Sequence, residues 1–187
     1  MLLVALGANL PNSEIGTPLD ACEKALDCLT RRGVAVIKRS RWYQSAPVPR
    51  SDQPDFINGV AVVSSALSPA DLLALLHDIE AELGRKRERV NEAREIDLDL
   101  LSYGDQVIGW PVSPVSTDKM GAEADNGLIL PHPRLHDRAF VLLPLRDVAP
   151  DWRHPVSGQD VEAMIRVISS GSGADLSFGD QICEPLD

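Results

Sequence analysis

Two helix-length stretches, each opened by a hydroxyl residue before proline and closed by glycine, divide the first hundred residues and restrict how the chain can fold. Thr17-Pro18 sets a capping side chain before a proline suited to the first helical position. Leu19, Ala21, Cys22, Ala25, Leu26 and Leu29 then recur at helical spacing until Gly33. Ser68-Pro69 opens the second helix, whose stripe of Leu72, Leu73, Leu76, Ile79 and Leu83 stops at Gly84. Strand-like runs occupy residues 2–6, 34–43, 58–66 and 96–101. The order β-α-β-β-α-β predicts a ferredoxin-like α+β fold, an antiparallel sheet with both helices on one face. Further helices expected over 138–148 and 159–168 would cover the other face and give α/β/α layers. Residues 106–108 and 128–130 read as short strands, and 109–127 and 169–187 as mobile segments rich in Gly, Ser, Pro and acids.

At 187 residues the chain fits a single domain, expected over 1–168, with a flexible tail over 169–187. The net charge of −10 argues against broad binding to nucleic acid or to an anionic membrane. Cys22, Cys28 and Cys183 are sparse and odd in number, which speaks against a disulfide framework. The first residues lack a basic start and run into Gly7-Ala8-Asn9, unlike a signal peptide, and no apolar run has membrane-spanning length. A cytoplasmic protein is expected.

Within residues 96–101, Asp97 and Asp99 alternate with Ile96, Leu98 and Leu100. On a strand the two carboxylates share one face, about 7 Å apart at their Cα atoms, and can converge on hard cations. Just upstream, Arg85, Lys86, Arg87, Arg89 and Arg94 gather five of the chain's 18 basic residues. Alone, an Asp-x-Asp strand is more often a solvated face, and an arginine cluster a solvated loop. Joined, they suit a polyphosphate, whose oxygens take both cations and guanidinium groups. Asp-x-Asp also serves glycosyltransferases and polymerases, so the reaction stays open at this point. A second stretch, residues 131–140, holds His132 between two prolines and places Arg134 and Arg138 four apart. Taken by itself it reads as a rigid helix entry. Tyr43 or Phe56 could stack a flat heteroaromatic ring, with Asn58 supplying donor and acceptor.

In this order the stretches resemble the 6-hydroxymethyl-7,8-dihydropterin pyrophosphokinase family. The matching residues are Gly7-Ala8-Asn9-Leu10, Ser40-x-x-Tyr43-x-Ser45-x-Pro47, Gln53-Pro54-x-Phe56-x-Asn58 and Leu83-Gly84-Arg85-x-Arg87. They continue with Arg94-x-Ile96-Asp97-Leu98-Asp99, Leu130-Pro131-His132-Pro133-Arg134-Leu135 and Arg138-x-Phe140-Val141-Leu142-x-Pro144-Leu145. The resemblance implies transfer of the β,γ-pyrophosphoryl group of ATP to the hydroxymethyl oxygen of the pterin, releasing AMP, in folate biosynthesis. It implies two Mg²⁺ ions on Asp97 and Asp99, with Arg85 and Arg94 completing the catalytic set. Tyr43, Ser45, Asn58 and Phe140 would line the pterin pocket. His77, Glu80, Arg85, Arg87, Arg94, His132 and Arg138 would surround ATP. The implied partners are these small molecules, with neither nucleic acid nor membrane.

Two departures stand out. Where the family has Arg-Trp-Gly-Pro-Arg-Thr, this chain has Val90-Asn91-Glu92-Ala93-Arg94-Glu95, so an aromatic that helps close over the pterin is absent. Trp42 and Trp110 are the candidate replacements. The 109–127 segment also reads as an atypical insertion. These departures keep two alternatives in view: a catalytically weak nucleotide- or pterin-binding module, and another Mg²⁺-dependent phosphoryl or nucleotidyl transferase.

Overall fold

The computed structural model describes residues 1–85, 93–110, 128–170 and 183–186. Arg87, residues 90–92 of the departing stretch, and most of the 109–127 and 169–187 segments lie outside these residues. Six strands and four α-helices are described: β1 (Leu2–Ala8), α1 (Pro18–Arg31), β2 (Ala35–Arg39), β3 (Tyr43–Ser45), β4 (Phe56–Ser64), α2 (Pro69–Glu82), β5 (Asp97–Tyr103), α3 (Ala139–Val148), α4 (Val161–Ser169) and β6 (Cys183–Pro185). The sheet runs β5-β1-β4-β3-β6, with β2 also on β4, and every pairing is antiparallel. Taking β2 and β3 as one interrupted strand, this is the ferredoxin-like order expected from the sequence. No helix among the described residues is long and apolar enough to cross a membrane.

The helix boundaries follow their capping chemistry. The Thr17 side chain accepts from Asp20 N–H while Asp20 answers the Thr17 N–H, a closed capping box. Ser68 caps α2 by accepting the Asp71 N–H at its hydroxyl oxygen. Beyond α2, Gly84 takes φ +99°, and a Cβ there would fall 2.7 Å from the Asn12 amide.

Each sheet face has its own core. Val4, Leu6, Ala61, Val63, Leu98 and Leu100 pack under α1 and α2, against Leu26, Leu29, Leu72, Leu76 and Ile79. Leu3, Val60 and Leu101 face the other way, toward Leu142, Leu145 and Met164 of α3 and α4. The three layers are therefore α/β/α, as predicted. Each fully buried Leu or Ile contributes about 1.5–3 kcal/mol of apolar burial. On β5, the register jumps between Leu3 and Val4, leaving Leu101 as the extra residue of a bulge. Its carbonyl accepts the His132 N–H at 2.8 Å and so fastens the Pro131–Pro133 turn to the sheet.

Several expectations need correcting. The run over 34–43 is two strands, because the Ser40 hydroxyl takes the Val60 N–H at 3.0 Å and bends the chain. Trp42 then turns toward α1, where its indole N–H donates to Glu23. Residues 106–108 and 128–130 form one bridge, Ile108 with Leu130, and no strands. Within the expected flexible tail, Cys183–Pro185 pairs with β3 as a sheet strand.

Gly59 of β4 lies directly under the Trp42 ring: a Cβ there would fall 2.5 Å from it. Gly59→Ala should cost about 1–3 kcal/mol through overpacking, read as a lowered denaturant midpoint with unchanged slope. An unchanged midpoint would contradict this packing.

Candidate active site

A cavity among the described residues lies on the α3 side of the sheet, where β1 carries small residues. Ala5 and Gly7 alternate with the large residues that face α1 and α2, so the sheet floor beneath the start of α3 is left open. Gly7 pairs with Asn58 on one side and Asp97 on the other, and Ala5 pairs with Asp99. The cavity measures about 630 Å³, the scale of a site for a small molecule. Its lining includes Ser45, Phe56, Asn58, His77, Arg85, Arg94, Asp97, Asp99, His132, Arg134, Arg138 and Phe140. Two surfaces of different chemistry thus share one space.

One surface suits a flat ring. Asn58 is buried on β4 and donates to the Ser45 hydroxyl at 2.9 Å. Phe56 of β4 and Phe140 of α3 both line the cavity, and the Arg138 guanidinium covers the Phe140 ring at 5.4 Å. A Cβ on Gly7 would fall 3.2 Å from the Asn58 amide oxygen, so glycine keeps the floor between Asn58 and Asp97 clear.

The other surface is an alternation of acids and arginines. Asp97 and Asp99 share one face of β5, as the strand alternation required, and both line the cavity. Arg85 holds one Asp97 oxygen and also pairs with Glu80, while Arg94 holds the other Asp97 oxygen at 2.6 Å. Among the described residues Asp99 has only a long ion pair, 3.9 Å to Arg138. Burial and the neighbouring Asp97 charge push the Asp99 carboxyl up to about 6. An under-neutralised carboxylate beside a second one is a hard-oxygen donor set that a divalent cation would relieve. Among the described residues no group of three or more His, Cys, Asp or Glu could hold a metal. Two carboxylates fit Mg²⁺, which is commonly held by one or two of them together with substrate phosphates.

His132 lies beside this surface with its Nδ1 accepting the Arg134 N–H at 3.3 Å. Burial first, then the charges of Arg138 and Arg134, hold its imidazole down at about 4. The folded protein therefore carries His132 neutral at pH 7.

Not every expected residue reaches the cavity. Tyr43 does not line it: the ring is buried in the α3 core and its hydroxyl meets Asp147 at 3.1 Å and the Arg41 guanidinium at 2.9 Å. Glu80 does not line it either. Buried at 1% exposure, it accepts the Leu98 N–H at 2.7 Å and pairs with Arg85, so it stands behind the arginine. Trp42 packs on the opposite sheet face, and Trp110 donates to the Pro131 carbonyl; neither borders the cavity. Arg134 reaches the cavity although the sequence offered it only as part of a helix entry.

A polyanion joined to a flat ring would meet matching groups on both surfaces. Comparison with known proteins agrees with that chemistry. The family model for 7,8-dihydro-6-hydroxymethylpterin-pyrophosphokinase matches residues 3–150. The 2-amino-4-hydroxy-6-hydroxymethyldihydropteridine pyrophosphokinase of Pseudomonas aeruginosa is 42% identical over 154 residues, covering 81% of this chain and 82% of its own. The enzyme of the same name from Synechocystis is 35% identical over 167 residues, with 89% and 75% covered. A folic acid synthesis protein of Pneumocystis carinii is 38% identical over 165 residues, 88% of this chain but 20% of that longer protein. The crystal structure of Plasmodium falciparum HPPK-DHPS with pteroate superposes with a TM-score of 0.67 at 15% identity, over 90% of this chain and 44% of that one. That likeness speaks for the fold alone. The chain belongs to the 7,8-dihydro-6-hydroxymethylpterin-pyrophosphokinase family.

The low His132 value has a measurable consequence. Between the ordinary 6.5 and about 4, the unfolded chain binds a proton that the folded chain does not, so this group makes stability fall as pH falls through that window. His132→Gln should flatten that part of the pH–stability curve, measured by urea unfolding at pH 4 to 7. An unaltered slope would show that His132 is not held neutral.

Proposed function

We propose that this protein transfers pyrophosphate from ATP to the hydroxymethyl group of 6-hydroxymethyl-7,8-dihydropterin, releasing AMP, as a step of folate biosynthesis. The observation that carries the proposal is the shared cavity: Asp97 and Asp99 border the same space as Asn58, Phe56 and Phe140. In this reading the ring lies over Gly7, with Asn58 and Ser45 meeting its polar edge and the two phenylalanines its faces. The triphosphate extends toward Arg85, Arg94, His132, Arg134 and Arg138, and His77 on α2 borders the nucleotide. Asp97 and Asp99 would hold Mg²⁺, two ions in the full assignment.

The alcohol oxygen attacks the β-phosphorus while the bond from that phosphorus to the α-phosphate oxygen breaks; AMP leaves, and the hydroxyl proton passes to water. Bound Mg²⁺ would supply positive charge to the phosphate oxygens as this exchange proceeds. The chain itself contributes position and charge. Arg94 and Arg85 converge on Asp97, which fixes two guanidinium groups at the phosphate side before substrate arrives. Glu80 steadies Arg85 from behind and fixes β5 through the Leu98 N–H. Neutral His132 offers a donor to a phosphate oxygen, and a bound polyanion would raise its proton affinity. Acid–base help from the protein is minor in this reading, since among the described residues of the cavity no strong base stands apart from the two aspartates.

Product analysis tests the proposal. ATP, Mg²⁺ and 6-hydroxymethyl-7,8-dihydropterin should yield AMP and the pterin diphosphate. Release of ADP would mean a simple kinase, release of pyrophosphate a nucleotidyl transferase, and pterin binding without turnover a binding module; each would overturn it. Asp97→Ala and Asp99→Ala should each lower turnover by several orders of magnitude with the circular dichroism spectrum unchanged. Turnover within about tenfold of wild type would remove the metal assignment.

A further inference from the structure

Asn9, in the turn after β1, does not line the cavity, yet its amide joins the two surfaces that do. Its side chain is buried, at 1% exposure. The Oδ1 atom accepts the Arg94 N–H at 2.8 Å. The Nδ2 atom donates to the Pro54 carbonyl at 3.0 Å and to Gln53 Oε1 at 3.3 Å. The backbone completes the tie, since the Asn9 and Leu10 N–H groups both donate to the Arg94 carbonyl, at 3.0 and 3.1 Å. Arg94 leads directly to Asp97, and Pro54 leads directly to Phe56 and Asn58. One carboxamide therefore grips the backbone feeding the phosphate surface with its oxygen and the backbone feeding the ring surface with its nitrogen.

We infer that Asn9 is a positioning residue that sets the ring-binding wall against the phosphate-binding arginine, its two ends serving the two substrates separately. The inference rests on the function proposed above. Its chemistry is specific to an amide. Aspartate is nearly isosteric and keeps the acceptor toward Arg94, but it turns lone pairs toward the Pro54 carbonyl and Gln53 Oε1. Leucine keeps the bulk and loses both ends. A buried donor or acceptor left without its partner costs more than the bond itself contributed. The two variants should therefore fail differently.

The test is steady-state kinetics with ATP and 6-hydroxymethyl-7,8-dihydropterin varied in turn. Asn9→Asp should raise KM for the pterin about tenfold while KM for ATP stays within about threefold. Asn9→Leu should raise both. Gln53→Ala, which removes one of the two acceptors near the cavity rim, should raise the pterin KM by about threefold and leave that for ATP unchanged; it serves should the Asn9 variants fail to fold. If Asn9→Asp moves both KM values together, or neither, or if Gln53→Ala weakens ATP as much as pterin, the inference is overturned. Wild type that releases no AMP would instead defeat the underlying function.

Discussion

On β1 the side chains of Val4, Leu6 and Ala8 are fully buried beneath α1 and α2, whereas Ala5 and Gly7 face α3. This difference in bulk across a single central strand gives the molecule a solid core on one side and an open floor on the other. Antiparallel pairing fixes what borders that floor, since Gly7 lies between Asn58 and Asp97 and Ala5 lies beside Asp99. A slip of one residue in the β1/β5 register would turn the carboxylates toward α2 and bury Leu98 and Leu100 among arginines. Leu98 and Leu100 are buried at 1% and 3% exposure in the α1/α2 core, so the apolar effect that holds β5 in place also aims Asp97 and Asp99.

The electrostatics of the cavity are held in a similar balance. An acidic chain concentrates Arg85, Arg94, Arg134 and Arg138 around one space and answers them with Asp97, Asp99 and buried Glu80. Asp97 takes two of the arginines, leaving Asp99 with burial and its neighbour's charge against it. His132 is in the reverse position, crowded by cations and kept neutral. A carboxylate short of cations and an imidazole short of anions, among the described residues, would both be relieved by a metal-bound polyphosphate.

Much of this was readable from local rules. Thr17-Pro18, Gly33, Ser68-Pro69 and Gly84 mark helix ends because capping and positive φ are decided by neighbouring residues. The facing of Asp97 and Asp99 follows from strand alternation alone. What the sequence hid depends on distant partners. Tyr43 resembled a pocket aromatic until Asp147, on α3, claimed its hydroxyl. Glu80 resembled a ligand to nucleotide, but the N–H it satisfies belongs to Leu98 of β5. Asn9 stood within a recognisable motif, and the bonds it makes to two separate loops appear only when Gln53, Pro54 and Arg94 are brought around it. The break at Ser40 and the pairing of β6 were invisible for the same reason: each is settled by a strand elsewhere in the chain.

The open floor at Gly7 is the feature on which the proposed pocket stands, and pterin affinity in a Gly7→Val protein probes it directly. Valine suits a strand but crowds Asn58, so the sheet should still form, with a lowered thermal midpoint and an unchanged circular dichroism spectrum. Its methyl groups would fill the space between Asn58 and Asp97, where even a Cβ comes within 3.2 Å of the Asn58 amide oxygen. Isothermal titration with 6-hydroxymethylpterin should then show affinity reduced by about tenfold or more. Wild-type affinity in a folded Gly7→Val protein would place the ring elsewhere and contradict the architecture proposed for this site.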